Sequence, residues 1–300
     1  MKRIRAIWEL MRLEHGIMIA IAIFIGLLIS IQVNQEFAWN TFPWINFFLT
    51  FCTAMFLEAS TFALNDYYDF EIDKKNKRED RPLVRGDIKP KTALYLFFIL
   101  FPLGIISSFF VNYTCFIIAL ITAIFAILYD SYMKRIKLLG NFYIAYVMAI
   151  PFVFGAAAVE QTSTLHIMLE PAVIVISIIA FLAGSGREIM KDIMDYKGDS
   201  SAGVKSFPIF IGIKKSIIIV NLFYTSAIIF SFIPFYLPLF QIYHQNYLYL
   251  IIILITNLIF IITIYQLFTN SNINMNYYRK ITLLGIFIGL LAFLLGAFIG

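Results

Sequence analysis

Apolar residues fall in nine long runs, at about residues 16–33, 42–64, 92–111, 113–130, 139–158, 167–186, 216–237, 247–268 and 281–299. Each approaches the ~20 residues with which a helix crosses a hydrocarbon core of about 30 Å. Lipid offers no partner to open backbone groups, so every run is predicted to be a transmembrane helix. The expected fold class is therefore all-α, a polytopic membrane protein with nine transmembrane helices. Ahead of the first run, Ile4, Ile7, Trp8 and Met11 recur at i, i+3, i+4 and i+7, with Lys2, Arg5 and Arg12 elsewhere round the wheel. This spacing predicts an interfacial amphipathic helix over 2–14. Pro102, Pro151 and Pro234 interrupt the third, fifth and seventh runs, where they are expected to kink helices around a cavity.

Composition agrees with this reading: 61% of the 300 residues are apolar, 17% aromatic and only 14% charged, outside the range of soluble domains. Charge then orients the chain. With the N-terminus inside, cytoplasmic segments hold four Lys and Arg in 2–12, eight in 65–91, three in 131–138, six in 187–215 and two in 269–280. Together these are all 23 cations, and the outer loops hold none. The positive-inside rule thus predicts an integral membrane protein whose N-terminus and polar motifs are cytoplasmic and whose C-terminus is outside. It also accounts for the net charge of +5 without a nucleic-acid partner, since the cations form no continuous basic face. Cys52 and Cys115 lie inside apolar runs and suggest no disulfide framework. No A-x-A-like cleavage site follows the first run, which is read as a retained span.

Two stretches break the apolar pattern in the same way. Asn65-Asp66-Tyr67-Tyr68-Asp69-Phe70-Glu71-Ile72-Asp73 spaces its aspartates as Asp-x2-Asp-x3-Asp, and Asp192, Asp195 and Asp199 repeat that spacing after the sixth run. Asp66, Asp69, Asp73, Pro82 and Gly86 each have an identical residue 126 positions further on. If the second helix continues, Asn65, Asp69 and Asp73 stack on one face with Asp66 at its flank. Like charges so placed repel by a few tenths of a kcal/mol per pair, approximately, and a divalent cation reverses the sign. Oxygen donors without nearby His or Cys select a hard ion, Mg²⁺ or Mn²⁺. Mg²⁺ takes one or two carboxylates and completes its shell with water and phosphate oxygens. Two acidic clusters flanked by cations therefore suggest a diphosphate clamp. Arg187 and Lys191 lead directly into the second cluster, and Tyr129, Tyr132, Lys134 and Arg135 bring phenols and cations to the same membrane face. Glu58, seven residues before Asn65, shares its helical face, and Arg12 is within reach of an anion at the membrane surface. The second and sixth spans run the same way, so the repeat is parallel, a single domain over 1–300 with motifs at 65–91 and 187–215.

These motifs resemble those of the UbiA superfamily of intramembrane prenyltransferases, N-D-x-x-D-x-x-x-D and D-x-x-D-x-x-x-D. The likeness covers essentially the whole chain. It implies nine helices around a central cavity open sideways to lipid, under a cytoplasmic cap. It also implies that Asn65, Asp66, Asp69, Asp73, Asp192, Asp195 and Asp199 ligate two Mg²⁺ ions, with Mn²⁺ as a substitute, and hold an isoprenyl diphosphate. On this reading Asp66, Asp69, Asp195 and Lys191 are the catalytic candidates. Arg12, Tyr67, Tyr68, Tyr129, Tyr132, Lys134, Arg135, Arg187 and Lys191 are the candidates for substrate binding, the Lys134 region looking like the family's third Tyr/Lys motif. The partners implied are a prenyl diphosphate, a lipophilic acceptor and membrane lipid. Within the family, R-E-I-M-K-D-I-M-D-Y-K-G-D followed by S-F-P-I resembles the archaeal branch that builds digeranylgeranylglyceryl phosphate, which makes geranylgeranylglyceryl phosphate the expected acceptor. An aromatic acceptor, a hydroxybenzoate or naphthoate, is the alternative. From another class, a cation transporter would place its carboxylates near the bilayer midplane, whereas these flank the ends of spans.

Overall fold

The computed structural model describes residues 2–13, 16–34, 38–75, 77–133, 136–159, 170–201, 203–269 and 274–299. In chain order the helices are α1 (Lys2–Met11), α2 (Gly16–Asn34), α3 (Trp44–Lys75), α4 (Pro90–Phe109), α5 (Tyr113–Ser131) and α6 (Lys137–Ala157). There follow α7 (Pro171–Ser201), α8 (Phe207–Ile211), α9 (Ile213–Tyr236), α10 (Tyr247–Thr269) and α11 (Met275–Ile299). All but α1 and α8 are long and apolar enough to cross a membrane. Among the described residues the only β pairing is an isolated bridge between Ile136 and Lys205. Ile251, Leu258, Ile261 and Phe268 on α10 are exposed, as are Phe98, Ile99 and Ile106 on α4. Apolar surface on that scale is a liability in water and a requirement in lipid.

The spans match the nine apolar runs, but their polar ends are longer than hydropathy suggested. α3 continues to Lys75 and α7 to Ser201, so both acidic motifs are helical. A helix needs no hydrocarbon to keep its internal hydrogen bonds, and it projects from the membrane until a specific stop ends it. Here the stops are equivalent. Lys77 has φ 51° and Gly203, 126 positions later, φ 68°. Each left-handed residue lets the next amide close back onto the helix, Arg78 N–H to the Asp73 carbonyl at 3.0 Å and Val204 N–H to the Asp199 carbonyl at 3.1 Å. Gly86 and Gly212 then turn the two following loops at φ 76° and 86°. The duplication is thus one of backbone geometry as well as of residue type.

The helices divide between two compact units. The first contains α1, α3, α4 and α5, and the second most of α2 together with α6 to α11. In the first, α1 packs on α3 with Ala6 and Leu10 buried among Ala63, Leu83, Ile88 and Ala93. Ile4 and Trp8 of the apolar stripe point outward and are exposed, as an interfacial helix requires. The protein side of α1 demands small and branched residues that fit against α3, so the larger apolar residues are left for the membrane interface. Its helix also stops at Met11, short of residue 14, because Arg12 adopts φ 49°. In the second unit, α7 and α9 pack around Tyr224, which stacks on Phe260 at 4.9 Å.

The α2–α6 crossing in the second unit depends on two glycines. A Cβ on Gly26 would lie 1.9 Å from the Phe152 carbonyl oxygen, and one on Gly155 would lie 2.0 Å from that of Ile23. Backbone cannot yield as a side chain does, so the helices would have to separate. Gly155→Ala is expected to destabilise the detergent-solubilised protein by about 2 kcal/mol or more, seen as a lowered Tm. Gly289→Ala, whose new methyl would meet its nearest neighbour at 3.5 Å, is expected to leave Tm nearly unchanged.

Candidate active site

In the first unit α3 carries Asn65, Asp66, Asp69 and Asp73 along its polar end. Asp66 is buried, at 3% exposure, which no carboxylate tolerates alone. Two arginines hold it. Arg81 donates to Asp66 Oδ1 at 2.6 Å and Arg12 to the same oxygen at 3.2 Å. Arg12 reaches inward from the bend after α1 and lies 4.2 Å above the Phe62 ring. Arg81 also approaches Asp73 at 3.9 Å and so spans the first and third aspartates. Burial pushes the Asp73 carboxyl above the ordinary range, against the opposing pull of Arg81 and Arg78. Asp80 is held down to about 2, chiefly by the paired hydrogen bonds from Arg78. Asn65 donates to Asp130 at 2.8 Å, which leaves its amide oxygen as the atom that could accept a metal. Glu9 of α1 pairs with Arg85. Beside these groups opens a cavity of about 480 Å³ lined by Glu9, Arg12, Asp66, Asp80, Arg81, Pro82 and Arg85.

In the second unit α7 presents Asp192, Asp195 and Asp199 on one face. Asp192 is 1% exposed. It accepts from Asn141 at 2.6 Å through Oδ2, and its Oδ1 lies 3.5 Å from Lys137 Nζ. The same ammonium donates to both oxygens of Asp199, at 2.6 and 2.9 Å. Lys137 therefore spans the first and third aspartates of this triad, as Arg81 does in the other.

Several expected residues sit elsewhere. Arg187 and Asp192 are five residues apart, about 140° round α7. Arg187 contacts Glu188 at 3.4 Å and lies within electrostatic reach of Tyr224 and Arg279. Lys191 approaches Glu188 at 3.8 Å. Tyr67 packs in the core beneath α1, whereas Tyr68 and Tyr132 are exposed. Tyr129 lies near the polar end of α5, one residue before Asp130. Lys134 and Arg135 lie outside the described residues. Conversely, Arg81, Asp130, Lys137 and Asn141 were not singled out from sequence. Arg81 and Lys137 read there only as members of positive-inside loops, and their partners lie 15 and 62 residues away.

Among the described residues no three His, Cys, Asp or Glu side chains gather tightly enough to cage an ion unaided. That is compatible with Mg²⁺, which needs only one or two carboxylates when substrate phosphates complete its octahedron. The donor set is oxygen only, and in each unit a tethered guanidinium or ammonium already stands against the first and third carboxylates. Positive charge is what these positions attract, so the residues fit a hard divalent cation.

The model of the UbiA prenyltransferase family matches residues 21–279. A digeranylgeranylglyceryl phosphate synthase from Archaeoglobus fulgidus is 38% identical, the match covering 98% of this chain and 96% of that protein. A solved structure described as a digeranylgeranylglyceryl phosphate synthase in membranes is 34% identical, covers 99% of each chain and superposes with a TM-score of 0.77. A UbiA homolog from Archaeoglobus fulgidus, solved with DMAPP and Mg²⁺ bound, shares the fold at a TM-score of 0.61 and 19% identity, over 96% of this chain and 98% of its own. From the paired acidic motifs, the long apolar helices and these matches together, the chain belongs to the UbiA prenyltransferase family.

Proposed function

We propose that this membrane prenyltransferase moves a prenyl group, best read as geranylgeranyl, from its diphosphate to the hydroxyl of geranylgeranylglyceryl phosphate, with Mg²⁺ as the cofactor. One observation carries the reading: in each acidic triad one positive side chain bridges the outer two carboxylates, Arg81 in the first and Lys137 in the second, the arrangement that a metal-diphosphate would take over. The names of the full-length relatives support the acceptor. The UbiA homolog bound to DMAPP and Mg²⁺ supports the donor class and the ion. Both motifs, with the N-terminus, would face the cytoplasm, and the C-terminus the outside.

The metal, when bound, supplies Lewis-acid stabilisation of the leaving diphosphate. Asn65, Asp66, Asp69 and Asp73 of the first motif and Asp192, Asp195 and Asp199 of the second would hold it, as two ions that clamp the diphosphate. Arg12, Arg81 and Lys191, with Lys134 and Arg135, would add charge-assisted hydrogen bonds to the phosphate oxygens. Arg187, two turns before Asp195 on α7, would add to the same positive field. The C1–O bond of the donor breaks, the acceptor oxygen bonds to C1, and the hydroxyl proton passes to a carboxylate, Asp66 or Glu58, or to released diphosphate. Tyr67 and Tyr68 of the first motif, and Tyr129 and Tyr132 at the end of α5, would each contribute about 0.5–2 kcal/mol to an allylic cation through the ring face. Apolar helix walls exclude the water that would otherwise capture that cation.

Asp69→Ala and Asp195→Ala are each expected to lower kcat/KM by at least about 10³-fold with Tm unchanged, because both carboxylates are only half-buried. Near-normal transfer by both variants contradicts the clamp. EDTA is expected to abolish transfer and excess Mg²⁺ to restore it, and chelator-resistant turnover would remove the metal from the mechanism. Labelled geranylgeranyl diphosphate, offered geranylgeranylglyceryl phosphate and 4-hydroxybenzoate in parallel, is expected to give an ether product with the former alone. Label in the aromatic product alone would move the chain to the quinone side of the family.

A further inference from the structure

The two triads are neutralised differently. Asp66 shares two arginines, one arriving from α1 and one from the loop after α3. Asp192 and Asp199 share a single lysine, Lys137, the first residue of α6. Its ammonium is 2.6 and 2.9 Å from the two Asp199 oxygens and 3.5 Å from Asp192. Only 22% of the side chain remains exposed. Asn141, one helical turn further along α6, fixes the other Asp192 oxygen. A compact point charge on a flexible stem, held between two carboxylates, has the charge and the oxygen partners of a bound cation. A hard divalent ion at the same pair must therefore displace it.

We propose that Lys137 is the resident counter-cation of the second triad. It holds Asp192 and Asp199 together when no metal is present and competes with a free divalent ion for them. That triad then takes its ion together with a diphosphate, whose oxygens offer the displaced ammonium a new partner. The consequence is ordered loading: the metal enters the second triad as a metal-diphosphate complex, and a vacant enzyme does not fill that triad at metal concentrations that suffice with the diphosphate present. This inference rests on the reading of the triads as metal ligands.

The test is Mn²⁺ titration of the purified full chain, followed by EPR, in an Asp69→Asn background that weakens the first triad. Without diphosphate, Lys137→Gln is expected to bind Mn²⁺ about tenfold or more tightly than the background protein. Lys137→Arg, which keeps the charge, is expected to match the background. Inorganic pyrophosphate is expected to narrow the difference, and Mn²⁺ to raise the Tm of Lys137→Gln more than that of the background protein. Lys137→Met, which keeps the apolar stem, reads the same quantities if the glutamine variant does not fold. Equal or weaker Mn²⁺ binding in the charge-removing variants overturns the competition while leaving the clamp standing. Absence of Mn²⁺ binding from every protein, with pyrophosphate present, overturns the metal reading itself.

Discussion

Carboxylates crowded at the end of a membrane helix are stable only beside positive charge, and much of the polar structure of this protein serves that requirement. A charge at the bilayer centre costs roughly 2.5–3.5 kcal/mol on insertion scales, less toward the interface. The three aspartates of each triad also repel one another. The chain answers by carrying α3 and α7 past the apolar run, ending both with the same left-handed turn, and returning a cation to the first and third carboxylates. Arg12 is drawn into the same network by the bend after α1. The N-terminal helix is thereby tied to the chemistry, through Arg12 to Asp66 and through Glu9 to Arg85.

The same pairing explains how a binding site can be built without a preformed metal cage. Removing a partner from a buried charge costs more than exchanging it for another. Each triad thus carries its own counter-charge, bridged between its outer carboxylates. Asn65 and Asn141 add a constraint that charge alone does not provide, since their hydrogen bonds to Asp130 and Asp192 fix the orientation of amide and carboxylate. Apolar helices supply the dry surroundings in which such electrostatic contacts act strongly.

What sequence revealed and what it hid follows from the range of the interactions. The apolar spans were legible because about twenty consecutive apolar residues have one use. The duplicated aspartates were legible because side chains at fixed spacing on one helix are a local pattern. Lys137 and Asn141 were not, since their partnership with Asp199 and Asp192 joins α6 to α7 across 62 and 51 residues. The surroundings of Arg187 were likewise hidden, since Tyr224 and Arg279, which lie within its electrostatic reach, belong to other helices. For α1, periodicity identified the helix and its exposed apolar stripe at Ile4 and Trp8, but not the face on which Ala6 and Leu10 meet α3, because that contact depends on residues more than fifty positions away.

The central claim is that both triads grip one diphosphate. Its most direct test is anomalous diffraction from crystals grown with Mn²⁺ and a thiodiphosphate analogue of the donor. The account predicts manganese peaks beside Asp69 and beside Asp195, joined through the oxygens of a single diphosphate. A diphosphate bound at one triad alone, with no metal at the other, would contradict it.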